Sequence, residues 1–81
     1  MEQTTTQRVA EQIRAILGRR QLSRSWLARE LGMPVTTMNR RLRGDQAFTV
    51  DELTAVAKAL QLPVTSLFPA DELSPAAVGA A

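Results

Sequence analysis

The chain has no cysteine and no histidine. Without cysteine there is neither a disulfide framework nor a thiol nucleophile, and without either residue the usual zinc ligands are missing. No metal or cofactor is therefore expected. Long apolar runs are absent as well: the N-terminal MEQTTTQRVAEQ is polar rather than signal-like, and no segment approaches the roughly 20 apolar residues of a membrane span. The expectation is a cytoplasmic protein that makes no membrane contact. Paired carboxylates, a nucleophile beside a base, and a glycine loop able to cradle phosphate are also missing, which argues against an enzyme. With 81 residues the chain makes one domain, whose core supplies only roughly 3 to 5 kcal/mol of net stability.

What is present is a charge asymmetry hidden by a net charge of +2. Residues 1–44 hold nine arginines against Glu2, Glu11 and Glu30, a balance of +6, whereas residues 45–81 set Lys58 against Asp45, Asp51, Glu52, Asp71 and Glu72, a balance of −4. Any one arginine alone reads as ordinary solvated surface. Arg40, Arg41 and Arg43 together call for an anionic partner or full solvation, and nucleic acid is the partner such a cluster fits.

Apolar periodicity divides the chain into five helical segments with no convincing strand. The first starts after Thr4 or Thr5, either of which can cap it, and buries Val9, Ile13, Ile16 and Leu17. Gly18 could end it in a left-handed conformation. The second starts behind Ser23 as N-cap and closes at Gly32. The third runs from about Pro34 or Val35, where the fixed φ of proline suits a first turn, to Gly44. Thr49 and Glu52 form a capping box ahead of the fourth, and a fifth, of one or two turns, covers Val64 to Phe68 before Pro69 stops it. Four apolar pairs lie five residues apart across these starts, the N′-to-N4 spacing of a hydrophobic staple: Leu22 with Leu27, Met33 with Met38, Phe48 with Leu53, and Leu62 with Leu67. Whether staples or plain core, they belong inside.

Residues 22–44, LSRSWLARELGMPVTTMNRRLRG, carry the functional signal. Leu27, Ala28 and Leu31 share one face of the second helix, and Met38 and Leu42 lie four apart on the third, so the two stripes can pack together. Val35, Thr36, Asn39, Arg40 and Arg43 then point away from that contact. Their hydroxyl, amide and guanidinium groups suit phosphates and base edges. Two short helices joined by a tight turn make a helix-turn-helix, which holds its second helix in the major groove of DNA. Trp26 reads as cover for the rim of the core rather than a base-stacking residue.

The sequence resembles the Cro and phage-repressor (XRE-like) helix-turn-helix regulators over residues 7–68. The resemblance rests on Leu22-Ser23, Leu27-Ala28, Leu31-Gly32, Thr37-Met38, Leu42-Arg43-Gly44, Ala57-Lys58-Ala59-Leu60 and Leu67-Phe68, which fall at the family's spacing. It implies an all-α, compact five-helix, lambda-repressor-like domain over residues 1–68. It also carries the first helix on to about Arg20, with Gln21 in the turn. Residues 69–81, PADELSPAAVGAA, mix two prolines, small residues and acids, and are expected to form a flexible, disordered C-terminal tail. The alternative for that tail is a partner or subunit contact through Asp71, Glu72 and Leu73. Many family members carry an internal ion pair between an arginine late in helix 1 and a glutamate near the end of helix 3. At the matching positions this chain has Leu17 and Leu42, so an apolar contact is expected in its place.

The function implied is a sequence-specific regulator that binds double-stranded operator DNA, a small Cro-like repressor of bacterial or bacteriophage type. By the resemblance, Val35, Thr36 and Arg40 occupy base-reading positions. Arg40 can take guanine O6 and N7 together, Thr36 can donate to a base edge or touch a thymine methyl, and Val35 makes the apolar contact alone. Asn39 is open between adenine readout, a phosphate contact and solvation. Arg24, at the start of the second helix, and Arg43 are placed for phosphates, with Thr37 a weaker candidate. Arg41 is set aside because it can turn back toward the fourth helix or the acidic half. A monomer or weak homodimer that pairs on DNA is expected. The alternative function is a protein-interaction or antitoxin-like module on the same fold.

Overall fold

A computed structural model of the chain describes residues 3–70, so most of the expected tail, including Asp71, Glu72 and Leu73, lies outside the described residues. Four α-helices, α1 (Thr5–Arg20), α2 (Arg24–Leu31), α3 (Val35–Arg43) and α4 (Val50–Leu60), precede a 3-10 helix at Val64–Leu67. The expected fifth helix is thus a single 3-10 turn. Pro63 at its start and Pro69 just beyond its end confine it to a span in which an α-helical ladder has no room to propagate.

Local chemistry sets the helix starts. Thr4, not Thr5, caps α1: its hydroxyl accepts from the Gln7 amide at 3.1 Å while the Gln7 side chain accepts from the Thr4 amide at 3.0 Å. Thr49 and Glu52 repeat the device on α4, at 3.0 and 2.8 Å. Ser23 Oγ accepts from the Trp26 amide at 2.9 Å and caps α2. Pro34 occupies the N-cap of α3 without a side-chain bond. Here the staple is the remaining restraint, with Met33 packed at the edge of the core and Met38 fully inside it.

The helix ends are equally uniform. Gln21, Gly32, Gly44 and Gln61 are all left-handed, with φ of 55°, 67°, 80° and 56°. After each, the next amide returns to a carbonyl five residues back: Leu22 to Leu17 at 2.9 Å, Met33 to Ala28 at 2.9 Å, Asp45 to Arg40 at 3.1 Å and Leu62 to Ala57 at 2.9 Å. This is the Schellman closure, which satisfies carbonyls that a helix end would otherwise leave unpaired. Gly18 does not end α1, which runs on to Arg20. Gly44 has a further reason to be glycine: a Cβ there would sit 3.1 Å from Gln7 Cγ and 3.2 Å from Gln7 Cα. The first turn of α1 thus lies directly against the end of α3.

All four expected staple pairs fall in or against one buried cluster that joins α1, α2, α3, α4 and the 3-10 helix. Among the described residues no charged or polar side chain is buried. α3 packs on both α1 and α2, while α4 packs on α2 and the 3-10 helix. Leu17 and Leu42 are 4% and 0% exposed, and both belong to this cluster. The positions where relatives place an ion pair are therefore part of the apolar core.

Arg41 fastens α3 to the start of α4. Its Nε donates to Glu52 Oε1 at 3.0 Å and its Nη2 to Glu52 Oε2 at 3.3 Å, while Nη1 donates to the Gln46 side chain. Glu52 Oε1 also accepts the Thr49 amide, so one carboxylate closes the capping box and binds the neighbouring helix. The Arg41 guanidinium, followed by the Thr49 backbone amide, outweighs partial burial and holds the Glu52 carboxyl below its ordinary value of 4.5. At the other end of α4, Arg20 donates to the Leu60 carbonyl, a cation placed on the negative end of the helix dipole.

Two outcomes test this packing. Leu42→Glu buries an unpaired carboxylate and is expected to cost on the order of 3 kcal/mol in chemical denaturation, with Leu17→Arg in the same chain recovering part of the loss. A Leu42→Glu protein that melts like the parent would show that the site is not sealed. Glu52→Gln keeps the capping acceptor but removes the charge. Because the folded carboxyl titrates below 4.5, its contribution is present above that pH and is lost as the pH falls through the folded value. The variant is therefore expected to be less stable by about 1 kcal/mol at neutral pH, and the gap to the parent should close on acidification.

Candidate nucleic-acid interface

The interface begins with the burial of one side of α3. Met38 and Leu42 are both 0% exposed, and the 3.6-residue period then turns Val35, Thr36, Arg40 and Arg43 outward, where all four are exposed. Thr37 and Asn39 sit between the two faces and are half-buried. The helix has no acidic residue, and its last turn holds Arg40, Arg41 and Arg43. Helix and guanidinium charges are therefore unbalanced along one exposed surface.

The three arginines meet different surroundings. Arg41 is withdrawn into its contact with Glu52 and Gln46, in keeping with its exclusion from the expected site. Arg43 Nε lies 3.0 Å from Asp45 Oδ2, with both side chains more than half exposed. An ion pair this exposed is worth little and yields readily to a phosphate. Arg40 is exposed, and its side chain has no hydrogen-bond or ion-pair partner among the described residues. Its five donors are the most available on the helix.

α2 supplies the flank. Ser23 engages only the Trp26 amide, which leaves the first amides of α2 without a helical partner beside the exposed Arg24. The proline cap leaves the first amides of α3 in the same condition. Trp26 is half-buried and packed on the core, as expected for a rim residue. Arg24 Nη1 donates to Asn39 Oδ1 at 3.2 Å, a link between α2 and α3 that sequence reasoning did not find. The two residues lie 15 positions apart, and no local pattern announces the contact. The expected base-reading and phosphate residues are thus brought to one side of α2 and α3. Thr37 and Asn39 are less accessible than the others, since both are half-buried.

Outside this surface, the described residues contain no group of acidic side chains that could hold a metal ion. They include no helix long and apolar enough to cross a membrane. A cleft of about 510 Å³ lies between α1 and the 3-10 helix and is open to solvent.

The arrangement has a counterpart among solved structures. The restriction-modification controller protein C.AhdI from Aeromonas hydrophila is similar over 78% of this chain and 96% of its own, with a TM-score of 0.73 at 21% sequence identity. No curated protein sequence matches the chain. The family model of the BetR domain, in contrast, matches residues 1–81. With its helix-turn-helix built on Ser23, Gly32 and the buried Met38 and Leu42, the chain belongs to the BetR-domain family.

Proposed function

We propose that the protein is a transcriptional regulator that binds double-stranded operator DNA sequence-specifically, a small Cro-like repressor with α3 in the major groove. The observation that carries this reading is the exposed face of α3. It joins the unpartnered Arg40 to Val35 and Thr36, has no acid within the helix, and is held rigidly by a buried opposite face. Arg40 reads a guanine through O6 and N7, Thr36 reads a base edge, and Val35 contacts a thymine methyl. Asn39 joins them as a base reader. Arg24, Arg43 and, more weakly, Thr37 hold phosphates and set the register. The likeness to a protein named as a restriction-modification controller supports a regulator. The exposed arginines favour a polyanion over a protein partner.

A single recognition helix reads only a few base pairs, so useful affinity needs a second copy on the same duplex. The region of the 3-10 helix and its flanks is where two copies would meet. Val64 is 41% exposed there, beyond the apolar residues committed to the core. The chain is thus a monomer or weak dimer alone and pairs on half-sites about one helical turn, roughly 10 base pairs, apart.

Titration with salt tests the electrostatics. If about six phosphates are neutralised, affinity falls roughly three orders of magnitude between about 50 and 200 mM salt; a salt-insensitive complex, or none at low salt, overturns the reading. Arg40→Ala is expected to cost about 1 to 3 kcal/mol on the preferred site and relax one base pair, whereas Arg43→Ala weakens all sequences alike and flattens the salt slope by up to about one. Equal losses on specific and random DNA for Arg40→Ala would reduce it to a phosphate contact. Sedimentation of the free protein and of its DNA complex checks assembly. A stable dimer at nanomolar concentration without DNA would refute the pairing model, as would one copy bound with full specificity to an asymmetric site.

A further inference from the structure

Arg24 and Asn39 are joined across the helix-turn-helix by a bond whose chemistry has a direction. A guanidinium has donors only, so the atom of the Asn39 amide that faces it at 3.2 Å must be the carbonyl oxygen. This settles the orientation of an amide whose two ends are otherwise interchangeable. The bond turns Oδ1 toward Arg24, so the Nδ2 group and its two hydrogens are the end of the amide directed away from it. We infer that Arg24 is a positioning residue that leaves the NH2 group of Asn39 to read the base pair it faces, selecting guanine over adenine.

The physical distinction is sharp. An asparagine free to orient itself pairs with adenine through both ends of its amide, Oδ1 accepting from N6 and Nδ2 donating to N7. Held with its oxygen toward Arg24, it loses the bond from the adenine N6 amino group and keeps at most a single donation to N7 beside that competing donor. Guanine presents two neighbouring acceptors, O6 and N7, and satisfies the same NH2 group without an opposing donor. Arg24 uses one of its five N–H groups for this bond. The others stay available for a phosphate, so its grip on the backbone and its grip on Asn39 reinforce each other.

This inference rests on the DNA-binding reading, and the test separates the two. Bound DNA is selected from a random pool with the parent, Asn39→Ala, Arg24→Met and Asn39→Asp proteins, each first checked by thermal melting. The base pair relaxed by Asn39→Ala is the one Asn39 reads. The parent is expected to prefer guanine there over adenine by about tenfold or more. Arg24→Met should bring that ratio to unity or reverse it toward adenine while preferences set by Arg40 remain. Asn39→Asp presents only acceptors and should move the preference toward the cytosine amino group. Arg24 and Asn39 lie on the surface rather than among the buried residues, so a purely structural role would shift melting without changing which base is chosen. The inference is overturned if Asn39→Ala relaxes no position, if the parent selects any base other than guanine there, or if Arg24→Met leaves the preference unchanged. A parent that binds no DNA even at low salt removes the DNA-binding reading, and the inference falls with it.

Discussion

The placement of α3 depends on a joint that the chain uses three times. A left-handed residue ends one helix, the apolar residue after it closes the Schellman bond, and the residue after that caps the next element: Gln21-Leu22-Ser23, Gly32-Met33-Pro34 and Gln61-Leu62-Pro63. The middle residue is the second residue past one helix and the N′ residue of the next. Its backbone is fixed by the helix behind it, and its side chain is drawn into the core shared with the helix ahead. Three residues suffice to join one element to the next, which leaves little slack in which α3 could rotate. The cost falls on Gln21 and Gln61, which adopt φ of 55° and 56° at roughly 1 kcal/mol each relative to glycine. The ends of α2 and α3 use glycine instead, and at Gly44 a Cβ would crowd Gln7 at 3.1 Å.

A buried seam of this kind must be free of charge if it is to set orientation by packing alone. Exchanging an internal ion pair for Leu17 and Leu42 removes the desolvation of two ions and the exacting geometry that pairing them requires. It also moves the electrostatic fastening of α3 to the periphery, where Arg41 and Glu52 sit partly in solvent. There the carboxylate serves the α4 cap and the α3 arginine together. One acidic residue thus fastens two helices together and keeps one of three neighbouring arginines off the exposed face of α3.

Much of this was legible in the sequence because it is local. Ser23, Gly32, Gly44, Thr49 and Glu52 declare helix ends through their own hydrogen-bonding or backbone preferences, and the five-residue staple spacing identifies side chains that do enter the core. The end of α1 was less plain. Gly18 offered a stop, yet a Cβ there would meet nothing within 4 Å, so the glycine marks no close approach and the helix passes through it. The fifth element was placed to within a residue, but its type was not, since the choice of a 3-10 turn between two prolines depends on how much chain the core leaves for it. Least visible were contacts between distant side chains. The partial withdrawal of Arg41 could be guessed from the acidic half, whereas the bond from Arg24 to Asn39 depends on the crossing of α2 and α3, which no spacing encodes.

The different partners of the α3 arginines also divide their labour on a polyanion. Arg40 enters a complex with its donors uncommitted, so its full hydrogen-bonding capacity goes into whatever it meets. Arg43 must exchange Asp45 for a phosphate, and the displaced carboxylate then lies close to the same backbone. Attraction and repulsion would partly cancel at that position, which lowers what Arg43 adds to affinity on any sequence.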